Sequence, residues 1–99
     1  MPILAIFTGE LTKSQYEALR KEVNWEGQKA EGGIFHCASF DETGRIHVAD
    51  VWESEAAMGA FVSTRLAPAM QKLAIKPPDV AVYPAHNINA YPVIDQYKI

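Results

Sequence analysis

Residues 32–54 read GGIFHCASFDETGRIHVADVWES, and this stretch decides the fold. Its centre, Asp41-Glu42-Thr43-Gly44, has the composition of a type I turn closed by a left-handed glycine, a common three-residue hairpin connection. The flanking runs are apolar and strand-like, so two antiparallel strands are predicted over residues 34–40 and 45–53. If Asp41 pairs with Arg45, counting back sets Ala38 opposite Val48, His36 opposite Asp50 and Ile34 opposite Trp52. Residues two apart share a face. One side therefore carries Ile34, His36, Ala38, Phe40, Ile46, Val48, Asp50 and Trp52, and the other carries Phe35, Cys37, Ala49 and Val51. The second set is small and mostly apolar, and is expected to lie under helices. The first mixes large apolar residues with an imidazole and a carboxylate, the composition of a ligand cavity.

Upstream, residues 2–8 form an apolar run that ends at Gly9 and reads as a strand internal to a sheet. Thr12 opens TKSQYEALRKEV with Gln15 in the capping-box position. Tyr16, Leu19 and Val23 form its apolar stripe, so an amphipathic helix is predicted to end near Asn24. The polar, glycine-containing residues 25–33 are a loop. Downstream, Ser54 caps a second helix whose apolar stripe runs from Met58 to Leu73, and Pro68 predicts a kink or break within it. Lys76-Pro77-Pro78 ends that helix, residues 79–83 form a fourth strand, and residues 84–99 are an aromatic tail punctuated by proline.

The order is β-α-β-β-α-β, the ferredoxin-like plan of the α+β class: one four-stranded antiparallel sheet with two helices on one face. The chain of 99 residues is read as a single domain, residues 1–99. Apolar residues on both sides of several strands leave the second sheet face in need of cover. A second copy of the sheet supplies it, with the tail 84–99 at the dimer interface.

Composition narrows the function. A net charge of −3 with nine scattered Lys and Arg gives no basic face for nucleic acid. No segment reaches the roughly 20 apolar residues of a membrane helix. The single cysteine, Cys37, cannot form an internal disulfide, and the N-terminus lacks a signal-peptide layout, so a cytoplasmic location is expected. No pair of histidines has helical metal-ligand spacing and Cys37 faces away from His36, so no metal is expected. Ser39 and Cys37 fall on the face opposite His36 and cannot partner it as nucleophiles.

The candidate site is therefore the pair His36 and Asp50, an acid/base couple in which the carboxylate orients the imidazole. The same pair could simply satisfy two half-buried polar groups. Trp52, Phe40, Ile34 and Val48 are the candidate substrate-binding residues on the same face, and Tyr83 could approach with His86 from the end of the fourth strand. His47 has the opposite parity and is expected to be exposed or locally bonded. Arg65 is expected on the inner flank of the second helix, near a ligand carboxylate or in a surface salt bridge.

Gly32 with His36 four residues on, then Asp50-Val51-Trp52-Glu53-Ser54, then Phe61 and Leu66-Ala67-Pro68, resemble the dimeric α/β-barrel proteins related to antibiotic biosynthesis monooxygenases. The resemblance implies a homodimer whose sheets face each other, with a pocket in each subunit between sheet and helices or within the barrel. It implies activities ranging over cofactor-free oxidation of aromatic polyketides, haem degradation and isomerisation of small lactones. The asparagine that usually marks the first strand of the haem-degrading branch is missing from PILAIFT. The expectation is a small homodimeric protein, a cofactor-free monooxygenase or isomerase for a small aromatic or conjugated molecule; the alternative is a non-catalytic, ligand-binding or stress-associated dimer.

Overall fold

The structure, a computed structural model, describes residues 1–99. Its elements follow in the predicted order: β1 (Ile3–Gly9), α1 (Lys13–Val23), β2 (Gly33–Phe40), β3 (Ile46–Trp52), α2 (Glu55–Phe61), α3 (Ala67–Lys72) and β4 (Asp79–Pro84). The strands form one antiparallel sheet in the order β2-β3-β1-β4, which places β1 inside the sheet. This is the ferredoxin-like arrangement. A short 3-10 turn, Pro92–Gln96, is the one regular element of the tail.

Local chemistry sets the element ends. The Thr12 hydroxyl accepts from the Gln15 amide at 3.1 Å and the Gln15 side chain accepts from the Thr12 amide at 3.0 Å, completing the capping box of α1. The Ser54 hydroxyl accepts from the Ala57 amide at 3.0 Å and starts α2. In the hairpin, the Asp41 amide donates to the Arg45 carbonyl at 3.0 Å, and Gly44 takes φ 86°, which only glycine adopts without strain. The Asp41 carboxylate accepts from the Thr43 and Arg45 amides and from the Thr43 hydroxyl, and meets His47 Nε2 at 2.8 Å. His47 is thus locally bonded.

The interruption predicted near Pro68 takes the form of a π turn, with a second short helix, α3, beyond it. Between α2 and α3 the chain makes a π turn over Val62–Leu66, in which the Ala67 amide reaches back five residues to the Val62 carbonyl. Pro68 has no amide hydrogen to give Thr64, so the i→i+4 ladder cannot run unbroken here.

The register of the hairpin places His36 opposite Asp50 and Ala38 opposite Val48. Ile34 does not face Trp52: Gly33 does, and Ile34 is the extra residue of a β-bulge between Gly33 and Phe35. Gly32 explains the irregularity. Its φ is +83°, and a Cβ there would come within 2.6 Å of Ala57 Cβ in α2, so the chain enters β2 pressed against the helix.

The faces of the sheet are the reverse of the sequence expectation. Ile3, Ala5, Ile46, Val48, Asp50 and Trp52 lie against the helices and are buried, whereas Phe35 and Cys37 are exposed on the open face. Small size was the wrong criterion. The gap between a helix layer and a sheet must be filled by large side chains to reach interior density, and Trp52 meets Met58 and Phe61 there, its ring centroid 5.3 Å from that of Phe61. A second cluster, Leu19, Val23, Ala69, Met70 and Ile75, joins α1 to α3. Only 12 of the 99 residues are buried, because the opposite sheet face is uncovered by this chain.

Candidate functional site

Between the helices and the sheet lies a cavity of about 260 Å³. Its walls are mainly apolar, with Phe7, Trp25, Val48, Trp52, Phe61 and Met70 among them, and its ionisable side chains are Tyr16, Lys29, His36 and Asp50. Its volume falls just below the roughly 300–1,000 Å³ of drug-sized ligand sites. A ligand of one or two rings suits it.

Asp50 sits in the middle of β3 with its side chain 12% exposed. One carboxylate oxygen is 2.6 Å from His36 Nδ1, and the other accepts from the Trp52 indole N–H at 3.4 Å. His36, on the edge strand β2, is 36% exposed and is gripped on both ring nitrogens, because its Nε2 is 2.7 Å from the Tyr16 hydroxyl. A carboxylate has no hydrogen to give, so Nδ1 carries the proton and Nε2 of the neutral ring accepts from the phenol. Burial pushes the Tyr16 phenol up to about 12 and keeps it protonated. Asp50, His36 and Tyr16 form a continuous chain of hydrogen bonds from the sheet to α1.

Aromatic packing fixes this chain. The Tyr16 and His36 rings are nearly parallel at 6.2 Å, and Trp25 lies 5.3 Å from His36 and 5.8 Å from Tyr16. The loop that carries Trp25 is tied down by Arg65, which donates to the carbonyls of Val23 at 3.0 Å, Gln28 at 2.7 Å and Lys29 at 3.4 Å. Arg65 also stands 5.1 Å from the Phe61 ring centre. It serves backbone carbonyls, makes no surface salt bridge and stands outside the cavity lining.

The other sequence candidates divide. Val48 and Trp52 line the cavity, and Ile34, 48% exposed, stands at its wall despite the bulge. Phe40 packs edge-on against Tyr16 at 5.9 Å, so it supports the site from behind and does not line it. Tyr83 belongs elsewhere: it pairs with Leu4, and its parity sends it to the open face, 54% exposed. No three His, Cys, Asp or Glu side chains come together as a metal site, and no helix is long and apolar enough to cross a membrane. Tyr16 and Trp25 were not read from sequence as site residues. Tyr16 looked like one more apolar rung of α1, although a half-buried tyrosine needs a partner for its hydroxyl.

No protein-family model matches the sequence, and no curated protein matches it. Solved structures do match the fold. Rv0793 from Mycobacterium tuberculosis superposes with a TM-score of 0.68 at 13% identity, over 91% of this chain and 100% of that one. A candidate antibiotic biosynthesis monooxygenase from Chloroflexus aurantiacus gives 0.64 at 17% identity, over 90% and 98%. The cofactor-independent oxygenase SnoaB from Streptomyces nogalater, in a mutant form, gives 0.61 at 13% identity, over 88% and 93%. The chain has the ferredoxin-like fold of antibiotic biosynthesis monooxygenase-like structures.

Proposed function

We propose that this protein is an enzyme acting on a small aromatic or conjugated molecule, with His36 as the proton acceptor and donor and Asp50 as its orienting partner. The reaction is a cofactor-free monooxygenation or an isomerisation. One observation carries the reading: a nearly buried carboxylate holds an imidazole at 2.6 Å on the wall of an otherwise apolar cavity. Removing a proton from a conjugated ligand leaves an electron-rich anion. That anion either takes the proton back at another carbon, or reduces dioxygen with its own electrons to give a carbonyl and water. The shared fold with a cofactor-independent oxygenase supports the reading by analogy of fold only. Trp52, Val48 and Ile34 would pack on the flat faces of the ligand.

The working unit in this proposal is a homodimer joined through the open sheet face. That face exposes Phe35 and Tyr83, and Tyr91, Val93 and Tyr97 of the tail are also exposed. Covering such a surface with a second sheet is the economical use of a domain with so small a core.

A thermal-shift screen of quinones, flavonoids, haem and lactones, followed by turnover and oxygen-uptake assays on the hits, tests the proposal. His36→Ala is expected to abolish turnover while leaving the dimer folded. Equal turnover in the variant would refute the role of His36; stabilisation by a ligand with no turnover in the parent protein would favour the non-catalytic alternative.

A further inference from the structure

The hydrogen-bond directions within the site carry a statement about the ligand. Asp50 offers no hydrogen, the Nδ1 hydrogen of His36 is spent on Asp50, and the Tyr16 hydrogen is spent on His36 Nε2. The three groups have none left for a ligand. Among these three groups, what remains is the oxygen of Tyr16, a residue of the cavity wall, whose hydroxyl makes no hydrogen bond except the one to His36. A phenolic oxygen that donates its hydrogen can still accept.

We infer that Tyr16 is the residue that meets the ligand, and that the site takes a neutral molecule whose hydroxyl group, phenolic or enolic, donates a hydrogen bond to the Tyr16 oxygen. The inference rests on the cavity being a small-molecule site, as proposed above. The proton then moves in two linked steps. The ligand O–H bond breaks as a new O–H bond forms on Tyr16, while the original Tyr16 O–H bond breaks and an N–H bond forms on His36 Nε2. The ligand is left as its phenolate or enolate, and the imidazolium is balanced by the Asp50 carboxylate. No electron changes hands. Tyr16 is itself regenerated neutral, in keeping with the burial that disfavours its anion. His36 acts through Tyr16, so the catalytic contact belongs to the tyrosine on α1.

Three probes of nearly one shape separate the possibilities: β-naphthol, its methyl ether, and naphthalene. The ether can accept a hydrogen bond but cannot donate one; naphthalene does neither. The parent protein is expected to bind β-naphthol about tenfold more tightly than the ether, the worth of one well-formed hydrogen bond in a dry pocket. Tyr16→Phe keeps the ring that packs on Trp25 and Phe40, so it should erase that preference and leave naphthalene binding within about twofold of the parent. His36→Asn, whose shorter side chain frees the Tyr16 hydrogen, should also shrink the preference by letting Tyr16 donate to the ether. A preference that survives Tyr16→Phe overturns the inference. Equal binding of all three probes to the parent overturns it while sparing the cavity. If none of them binds, the cavity reading fails and this inference falls with it.

Discussion

Replacing Asp50 by Asn exchanges one carboxylate oxygen for an amino group and separates the charge of the site from its shape. In the parent protein, each carboxylate oxygen serves one donor, His36 Nδ1–H at 2.6 Å and Trp52 Nε1–H at 3.4 Å. The amide keeps one oxygen, so one donor loses its partner, at a cost of about 1–2 kcal/mol, partly offset because a neutral amide is easier to bury than a carboxylate. The larger effect falls on the imidazolium that forms when His36 takes a proton. Unit charges about 4 Å apart attract by about 4 kcal/mol at an effective dielectric constant of about 20. His36 is 36% exposed, and halving the attraction for solvent screening leaves about 2 kcal/mol, or roughly 30-fold in the proton-transfer equilibrium. The assay is absorption spectroscopy of bound β-naphthol at fixed pH, which reads its ionised fraction directly. Asp50→Asn should lower the ratio of bound naphtholate to naphthol roughly 30-fold, with naphthalene affinity nearly unchanged. A ratio equal to that of the parent would show that Asp50 does not stabilise the charged imidazole and would refute the reasoning.

Tyr16 also gives the protein an alkaline signature. Burial raises its folded-state pKa from 10.0 to about 12, so between those values the unfolded chain has lost a proton that the folded chain retains, and stability falls as pH rises through that window. Below about pH 10 the contribution is complete; Tyr16→Phe should flatten the decline in melting temperature between about pH 10 and pH 12. Arg65→Met keeps a stem over Phe61 but removes the donors to Val23, Gln28 and Lys29. Amide exchange over residues 24–32 should then speed at least about tenfold while the sheet stays protected, and unchanged exchange would show that Arg65 does not hold the Trp25 loop. Tyr83→Glu places a charge on the open sheet face, away from the cavity lining, and sedimentation should show loss of the proposed dimer with the cavity intact. A mass unchanged from a dimeric parent would move the interface elsewhere.

Much of the fold was legible because its signals are local. The capping box at Thr12 and Gln15, the Ser54 cap and the Asp41–Gly44 turn each carry their partners within four residues, and all form as read. The turn fixed the pairing of His36 with Asp50 from within the hairpin. Distant contacts were another matter. Which sheet face meets the helices depends on how large side chains fill the space above the sheet, and this inverted the expectation for Phe35 and Cys37. The bulge at Ile34 arises because Gly32 packs against Ala57, 25 residues away in sequence. Tyr16 escaped notice for the same reason: its partner is 20 residues distant, and its place in an apolar stripe concealed the need of its hydroxyl. Tyr83 was misplaced because its face follows from pairing with Leu4, a register that no short-range pattern in the fourth strand reveals.

A crystal structure of the protein grown with β-naphthol tests the central claim most directly. The naphthol is expected between sheet and helices, its rings against Trp52 and Val48 and its oxygen within hydrogen-bonding distance of Tyr16. Density for the ligand on the open sheet face, or inside the cavity with its oxygen turned away from Tyr16 and His36, would contradict it.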